Sequence, residues 1–213
     1  NLIEIEQEIK LNLSNLNIIN LPKIIAVSKT FKMDKILPLI EYGHINFGEN
    51  KVQEAIEKWS DLREKKTNIQ LHMIGKLQTN KVRSAVKLFD YIHSVDSQKL
   101  AKKIADEQIR INKLVKIFIQ VNIGNEDQKS GVNKIELKSL VEYCKQINLN
   151  VVGLMCIPPN NFDVSSYFSE MNLLNKSFNL SELSMGMSSD YLKASENLAT
   201  YLRIGSSIFG QRS

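Results

Sequence analysis

The chain has no run of about 18 apolar residues, so the sequence offers no membrane-spanning helix. Its first residues are acidic and amphipathic, without the basic stretch and apolar segment of a secretory signal, so no export is expected. Cysteine is scarce. Cys144 and Cys156 sit in unrelated contexts with no CxxC, which excludes a disulfide scaffold and suits a reducing, cytoplasmic compartment. His44, His72 and His93 show no metal-ligand spacing with one another or with the cysteines, so no metal site is expected. No Gly-x-Gly-x-x-Gly follows a strand-like run, which argues against a dinucleotide-binding sheet. The net charge of +5 comes from lysines scattered among acids. Lys76, Lys81, Arg83 and Lys87 recur along one helical stretch, but without the interleaved aromatics of a nucleic-acid surface, and a solvated face is the simpler reading. Neither nucleic acid nor membrane is expected as a partner.

No Ser/Gly-rich linker or charge block divides the 213 residues, so one domain over 1–213 is expected. What recurs is a short β-branched run followed by an amphipathic stretch. After an opening helix on Leu2, Ile5, Ile9, Leu13 and Leu16, the strand-like runs are 24–27, 45–47, 69–74, 91–95, 115–123, 151–157, 183–187 and 202–204. A helix-like stretch follows each, with Asp34 as the expected N-cap of the first and Asn50-x-x-Gln53 resembling a capping box before the second. Eight such units imply a parallel sheet closed as a (β/α)8 TIM-type barrel with an extra N-terminal helix. An open doubly wound sheet is the alternative.

Glycine is also sparse, nine residues or about 4% against a usual ~7%. Gly48, Gly75, Gly153, Gly186 and Gly205 fall in or just after strands, where a backbone could approach a ligand or simply turn. Lys29 ends the first strand run. Alternation places it on the side of Ile25 and Val27, toward the barrel mouth, where partial desolvation favours the neutral amine and hence a Schiff base. A lysine that merely snorkels from a strand end is the competing reading. The segment from Arg203 through Gly205, Ser206 and Ser207 to Gly210 reads as strand, tight turn and helix start, the place where such barrels hold phosphate. The run Met185-Gly186-Met187-Ser188-Ser189-Asp190 would form the opposite wall, although two ordinary helix caps would use the same residues. An amine and a phosphate cradle on one barrel face are what pyridoxal 5′-phosphate (PLP) requires. Asn50 is open between a cap and a ligand contact, and His72 between a pocket wall and a satisfied interior histidine.

Seven motifs in order carry a resemblance: Ala26-Val27-Ser28-Lys29-Thr30, Phe47-Gly48-Glu49-Asn50-Lys51-Val52-Gln53-Glu54, the run from His72 to Lys81, Lys129-Ser130-Gly131, Gly153-Leu154-Met155, the run from Leu183 to Ser188, and Arg203-Ile204-Gly205-Ser206 with Phe209-Gly210. Over nearly its full length the chain resembles the pyridoxal phosphate homeostasis proteins, which share the barrel of the alanine racemase N-terminal domain. The resemblance implies that Lys29 carries PLP as a Schiff base, that Arg203 faces the pyridine nitrogen, and that Ser188, Gly205 and Ser206 hold the phosphate. It implies that Asn50 and Met187 line the ring, and gives Lys129 no more than a surface or accessory role. Lys193 departs from the family's usual Glu, and Leu198 replaces a small residue.

Two arguments weigh against turnover. An arginine at the pyridine nitrogen disfavours its protonation and weakens the ring as an electron sink. Racemases of this fold take a second base from an added β-domain, and none is expected in a chain that runs three residues past Gly210. The expectation is a monomeric carrier that buffers PLP or delivers it to PLP-requiring apo-enzymes, with no catalytic residue of its own. The alternative is a single-domain, PLP-dependent, racemase-like enzyme.

Overall fold

The computed structural model describes residues 1–65, 68–126, 128–159 and 164–210. Eight parallel strands close on themselves in chain order: β1 (Lys23–Val27), β2 (Asn46–Glu49), β3 (Gln70–Met73), β4 (Tyr91–Val95), β5 (Lys116–Val121), β6 (Asn150–Cys156), β7 (Glu182–Met187) and β8 (Tyr201–Ile204). Closure is direct, with Ile25 of β1 opposite Arg203 of β8 and Ala26 of β1 opposite Phe47 of β2. The helices are α1 (Leu2–Asn15), α2 (Met33–Tyr42), α3 (Val52–Lys65), α4 (Val82–Leu88), α5 (Gln98–Ile111), α6 (Lys134–Gln146), α7 (Val164–Ser177), α8 (Tyr191–Glu196) and α9 (Ser206–Phe209). The expected barrel with its N-terminal helix is therefore what the chain forms, and the open sheet is not.

Alternation along each strand builds two cores. Leu71, Met73, Ile117, Ile119, Leu202 and Ile204 point outward into the layer between sheet and helices, where the apolar faces of α1 to α8 cover them. Ile25, Tyr91, Phe118, Met155 and Tyr201 point inward and fill the barrel with a smaller, largely aromatic cluster. A sheet covered on both faces has no solvated side, which is why the strands read as continuous apolar runs.

The low glycine count has a structural counterpart. Asn17, Asn112, Asn148 and Asn179 all adopt positive φ, between 50° and 57°, just past α1, α5, α6 and α7. Asparagine tolerates this left-handed conformation best after glycine, so the chain ends helices with Asn where others use Gly. Leu198, the departure noted before β8, sits at φ 65° with no such tolerance. The other departure is benign, because Lys193 pairs with Glu196 one turn along α8.

Helix starts differ from expectation in two places. Asp34 lies inside α2, whose N-cap position is Lys32. The Asn50–Gln53 capping box does not form, because α3 begins at Val52 and the Gln53 amide donates to Glu57 instead. Two of the interior glycines, Gly75 and Gly153, bring chain close to chain, while Gly205 borders the pocket. A Cβ on Gly75 would lie 2.3 Å from the Asn50 carbonyl oxygen, and one on Gly153 would lie 1.8 Å from that of Glu182. Gly153→Ala must therefore push β6 away from β7. We expect a loss of about 3 kcal/mol, the upper range for overpacking, read as a lower urea midpoint at unchanged m-value.

Candidate functional site

At the C-terminal ends of the strands lies a pocket of about 620 Å³ lined by Val27, Lys29, Asn50, Ile74, Ile157, Met187, Ser188, Ser189, Arg203, Gly205 and Ser206. All seven residues singled out in the sequence, Lys29, Asn50, Met187, Ser188, Arg203, Gly205 and Ser206, line this one cavity. Sequence reading missed Ile74 and Ile157. Each lies just beyond a strand end, where apolar or small residues carry no chemical signal of their own.

Lys29 is half-buried, two residues past β1 on the side of Val27. The backbone around it is clamped on both flanks. Lys58, on α3, donates to the Ser28 carbonyl oxygen at 2.9 Å, to Glu49 Oε1 at 2.9 Å and to Glu54 Oε1 at 3.0 Å. Glu54 in turn accepts the Thr30 N–H at 2.6 Å, which holds Thr30 at φ 68°. Glu49 Oε1 also accepts from Ser28 Oγ at 2.7 Å and from Trp59 Nε1 at 3.0 Å. Burial alone would raise the Glu54 pKa, but the Thr30 amide and Lys58 outweigh it and hold the carboxyl below its ordinary value. Phe31 stacks on Phe209 with ring centroids 4.9 Å apart, tying the loop after β1 to α9.

Arg203 forms the floor, only 4% exposed. Its Nη1 donates to Ser184 Oγ and its Nη2 to the Cys156 carbonyl oxygen, both at 2.8 Å. Burial lowers its pKa. The wall after β7 and β8 is a set of single donors. The Gly205 N–H reaches Ser188 Oγ at 3.3 Å, and the hydroxyls of Ser188, Ser189 and Ser206 border the cavity. Because α9 is one turn long, this wall acts through individual N–H and hydroxyl groups rather than through a macrodipole. Asp190 does not cap α8 with its side chain but turns back to accept the Met187 N–H at 2.5 Å, fixing the turn after β7.

The histidines divide as their chemistry suggests. His72 and His93 are fully buried inside the barrel and do not line this pocket. His72 is thus the satisfied interior histidine. Burial is the main cause that lowers both their pKa values, with neighbouring cations adding to it. Lys129 stays outside the pocket, where it donates to the Pro158 carbonyl oxygen and pairs with Glu126. No helix among the described residues is long and apolar enough to cross a membrane.

An amine, a buried guanidinium and a cluster of small donors at one end of a parallel barrel define a class. The model of the alanine racemase N-terminal domain family matches residues 6–213. Alanine racemase of Clostridium difficile superposes with a TM-score of 0.68 at 15% identity, covering 96% of this chain and 56% of that one, a likeness of fold alone. Within that class the chain belongs to the pyridoxal phosphate homeostasis protein family. It is 38% identical over 203 residues to the pyridoxal phosphate homeostasis protein of Aquifex aeolicus, covering 91% of this chain and 88% of that protein. The protein of the same name from Vibrio alginolyticus is 37% identical over 204 residues, covering 89% and 86%. PipY of Synechococcus elongatus, solved with PLP bound, superposes with a TM-score of 0.83 at 32% identity, covering 95% of this chain and all of that one.

Two outcomes follow from these contacts. Lys58→Met leaves the Glu49 carboxylate buried beside two neutral donors, and we expect a loss of about 3 kcal/mol in urea unfolding. Adding Glu49→Gln should recover most of it, because the uncompensated charge goes too. The second outcome concerns pH. With folded pKa values below the unfolded value of about 6.5, His72 and His93 oppose folding only where the unfolded chain takes up protons that the native barrel refuses. Their contribution is fully present above pH 6.5 and is lost as pH falls below it. Stability should drop by about 2 kcal/mol from pH 6.5 to 5.5, measured as the urea midpoint at each pH. A flat profile over that range would contradict the neutral pair.

Proposed function

We propose that this pocket holds pyridoxal 5′-phosphate reversibly, attached to Lys29, and that the protein buffers the cofactor or delivers it to apo-enzymes that require it. The observation that carries this reading is the pairing of Lys29 with Arg203 in one pocket that has no carboxylate among its described lining residues. Two cations and no acid make a field suited to a phosphate dianion, and 620 Å³ lies within the usual range for a cofactor of this size. When bound, the cofactor supplies an aldehyde, which condenses with a primary amine and releases one water, and a ring that drains electrons when its nitrogen is protonated.

The chain's own residues divide that work. Lys29 offers its Nζ from a backbone that Lys58 and Glu54 hold on either side. Ser188, Ser206 and the Gly205 N–H are the donors for the phosphate oxygens. Asn50 and Met187 flank the ring. Arg203 turns toward the ring nitrogen, and as a cation that only donates it leaves that nitrogen unprotonated. Retention without turnover follows, because an unprotonated ring stabilises a carbanion poorly. All of the described lining residues come from one chain, which supports a monomer. Two buried free thiols suit a reducing compartment such as the cytoplasm.

Adding PLP to the purified protein should produce a yellow band, and borohydride should then fix the label on Lys29 in the mapped peptide. Lys29→Ala should fold as the parent does and show neither band nor label. Solvent-isotope exchange at the α-carbon of added amino acids should stay at background. Label spread over surface lysines would overturn the attachment, and rapid exchange would favour an enzyme.

A further inference from the structure

Behind Arg203 the barrel contains a line of hydrogen bonds that the pocket does not touch. Ser184 Oγ lies 2.9 Å from His93 Nδ1, His93 Nε2 lies 3.0 Å from His72 Nδ1, and His72 Nε2 lies 3.1 Å from Asn46 Oδ1. Ser184, His93 and His72 are buried on β7, β4 and β3, so the line crosses the barrel interior to β2. Stacking holds both rings in plane, with His72 on Tyr91 at 4.3 Å and His93 on Phe118 at 4.2 Å between centroids. A hydrophobic core would fill this space at lower desolvation cost, so a satisfied polar line here calls for a use.

Donor counting gives the line one direction. The guanidinium can only donate, so Ser184 Oγ accepts from Arg203. The serine hydrogen then has His93 Nδ1 as its acceptor, which leaves the proton of His93 on Nε2. That proton goes to His72 Nδ1, and the Nε2 proton of His72 goes to Asn46 Oδ1. Every donor is used once and both rings are neutral. Run the other way, the serine hydrogen has no acceptor among the described residues, and the Asn46 amide must turn to present Nδ2 to His72 Nε2. Neutrality also suits the surroundings. Lys23, Lys116 and His44 act on His72 from one end and Arg203 acts on His93 from the other, each disfavouring a further positive charge.

We propose that Ser184, His93, His72 and Asn46 form a positioning chain for Arg203. Resting on the PLP reading of the pocket, the chain fixes the guanidinium plane so that its remaining N–H groups face the ring nitrogen, and it thereby sets how tightly the cofactor is held. Each bond polarises the next and makes Ser184 Oγ a stronger acceptor for Arg203. The effect reaches the pocket from His72, a residue that lines no part of it.

The test compares Ser184→Ala, His72→Phe and His72→Asn with the parent protein. Asparagine Oδ1 can replace Nδ1 as the acceptor for His93, and phenylalanine cannot. PLP affinity is read by spectrophotometric titration, folding by the urea midpoint without PLP, and the histidine tautomers by 15N NMR of the PLP-free parent. We expect about tenfold weaker binding in Ser184→Ala and His72→Phe, with the label still on Lys29, and recovery of most of the affinity in His72→Asn. The parent should show both rings protonated on Nε2 only. If His72→Phe does not fold, Ser184→Ala decides the affinity. Parental affinity in a folded Ser184→Ala, or a proton on His93 Nδ1 in the parent, overturns the chain. Absence of any Lys29 label in the parent overturns instead the PLP reading on which the cofactor role rests, while the tautomers still report the chain's direction.

Discussion

A guanidinium with 4% exposure at the end of β8 is the constraint around which this barrel's interior is arranged. Arginine does not shed its proton, so its charge must be answered by acceptors placed by other strands. Those acceptors come from the two strands that precede β8 around the barrel. The β6 backbone contributes the Cys156 carbonyl and β7 contributes Ser184. Neither is a carboxylate. The charge is therefore solvated by dipoles rather than neutralised, and it remains available to an anion or a lone pair in the pocket above. A carboxylate in either place would pair with the arginine and quench that field.

Lys29 stands under the opposite regime. Its neighbours in the chain are fixed through a charged lattice of Lys58, Glu49 and Glu54, so acids answer a cation one layer away from the pocket. The lattice separates roles that one residue could not combine. Lys58 holds the backbone on one side, and Lys29 is the lysine that borders the pocket. Glu49 Oε1 gathers three donors, while Oε2 is buried without a hydrogen-bond partner among the described residues. That imbalance is tolerable because the full ammonium of Lys58 sits against the loaded oxygen.

The barrel and its pocket residues were legible because each left a local mark. β-branched runs marked the strands, and Lys29 and Arg203 marked chemistry at strand ends. Lys58 was not legible. It lies on α3 among ordinary polar residues, and only the packing of α3 on β2 brings it to the Ser28 carbonyl. Asp34 as a cap and the capping box at Asn50 misled because cap residues also occur inside first turns and in loops, and propensity cannot tell these apart within one or two positions. The interior glycines stayed open between a ligand and a turn for a related reason. Spacing shows where a side chain is absent, and only the neighbouring strand shows that Gly153 makes room for the Glu182 carbonyl.

His72 and His93 show where one residue's chemistry stops being readable alone. Each is unremarkable in sequence, with no ligand spacing and no charged neighbour in the chain. Their meaning comes from facing across β3 and β4, and from the proton direction that Arg203 imposes through Ser184. A donor that can never accept fixes the hydroxyl, the hydroxyl fixes one ring, and that ring fixes the next. The polar interior is thus a consequence of one buried arginine, as the aromatic stacks beside it are a consequence of two flat rings. On the proposed chain, the hold on a ligand depends on strands facing away from the pocket as well as on the loops that rim it.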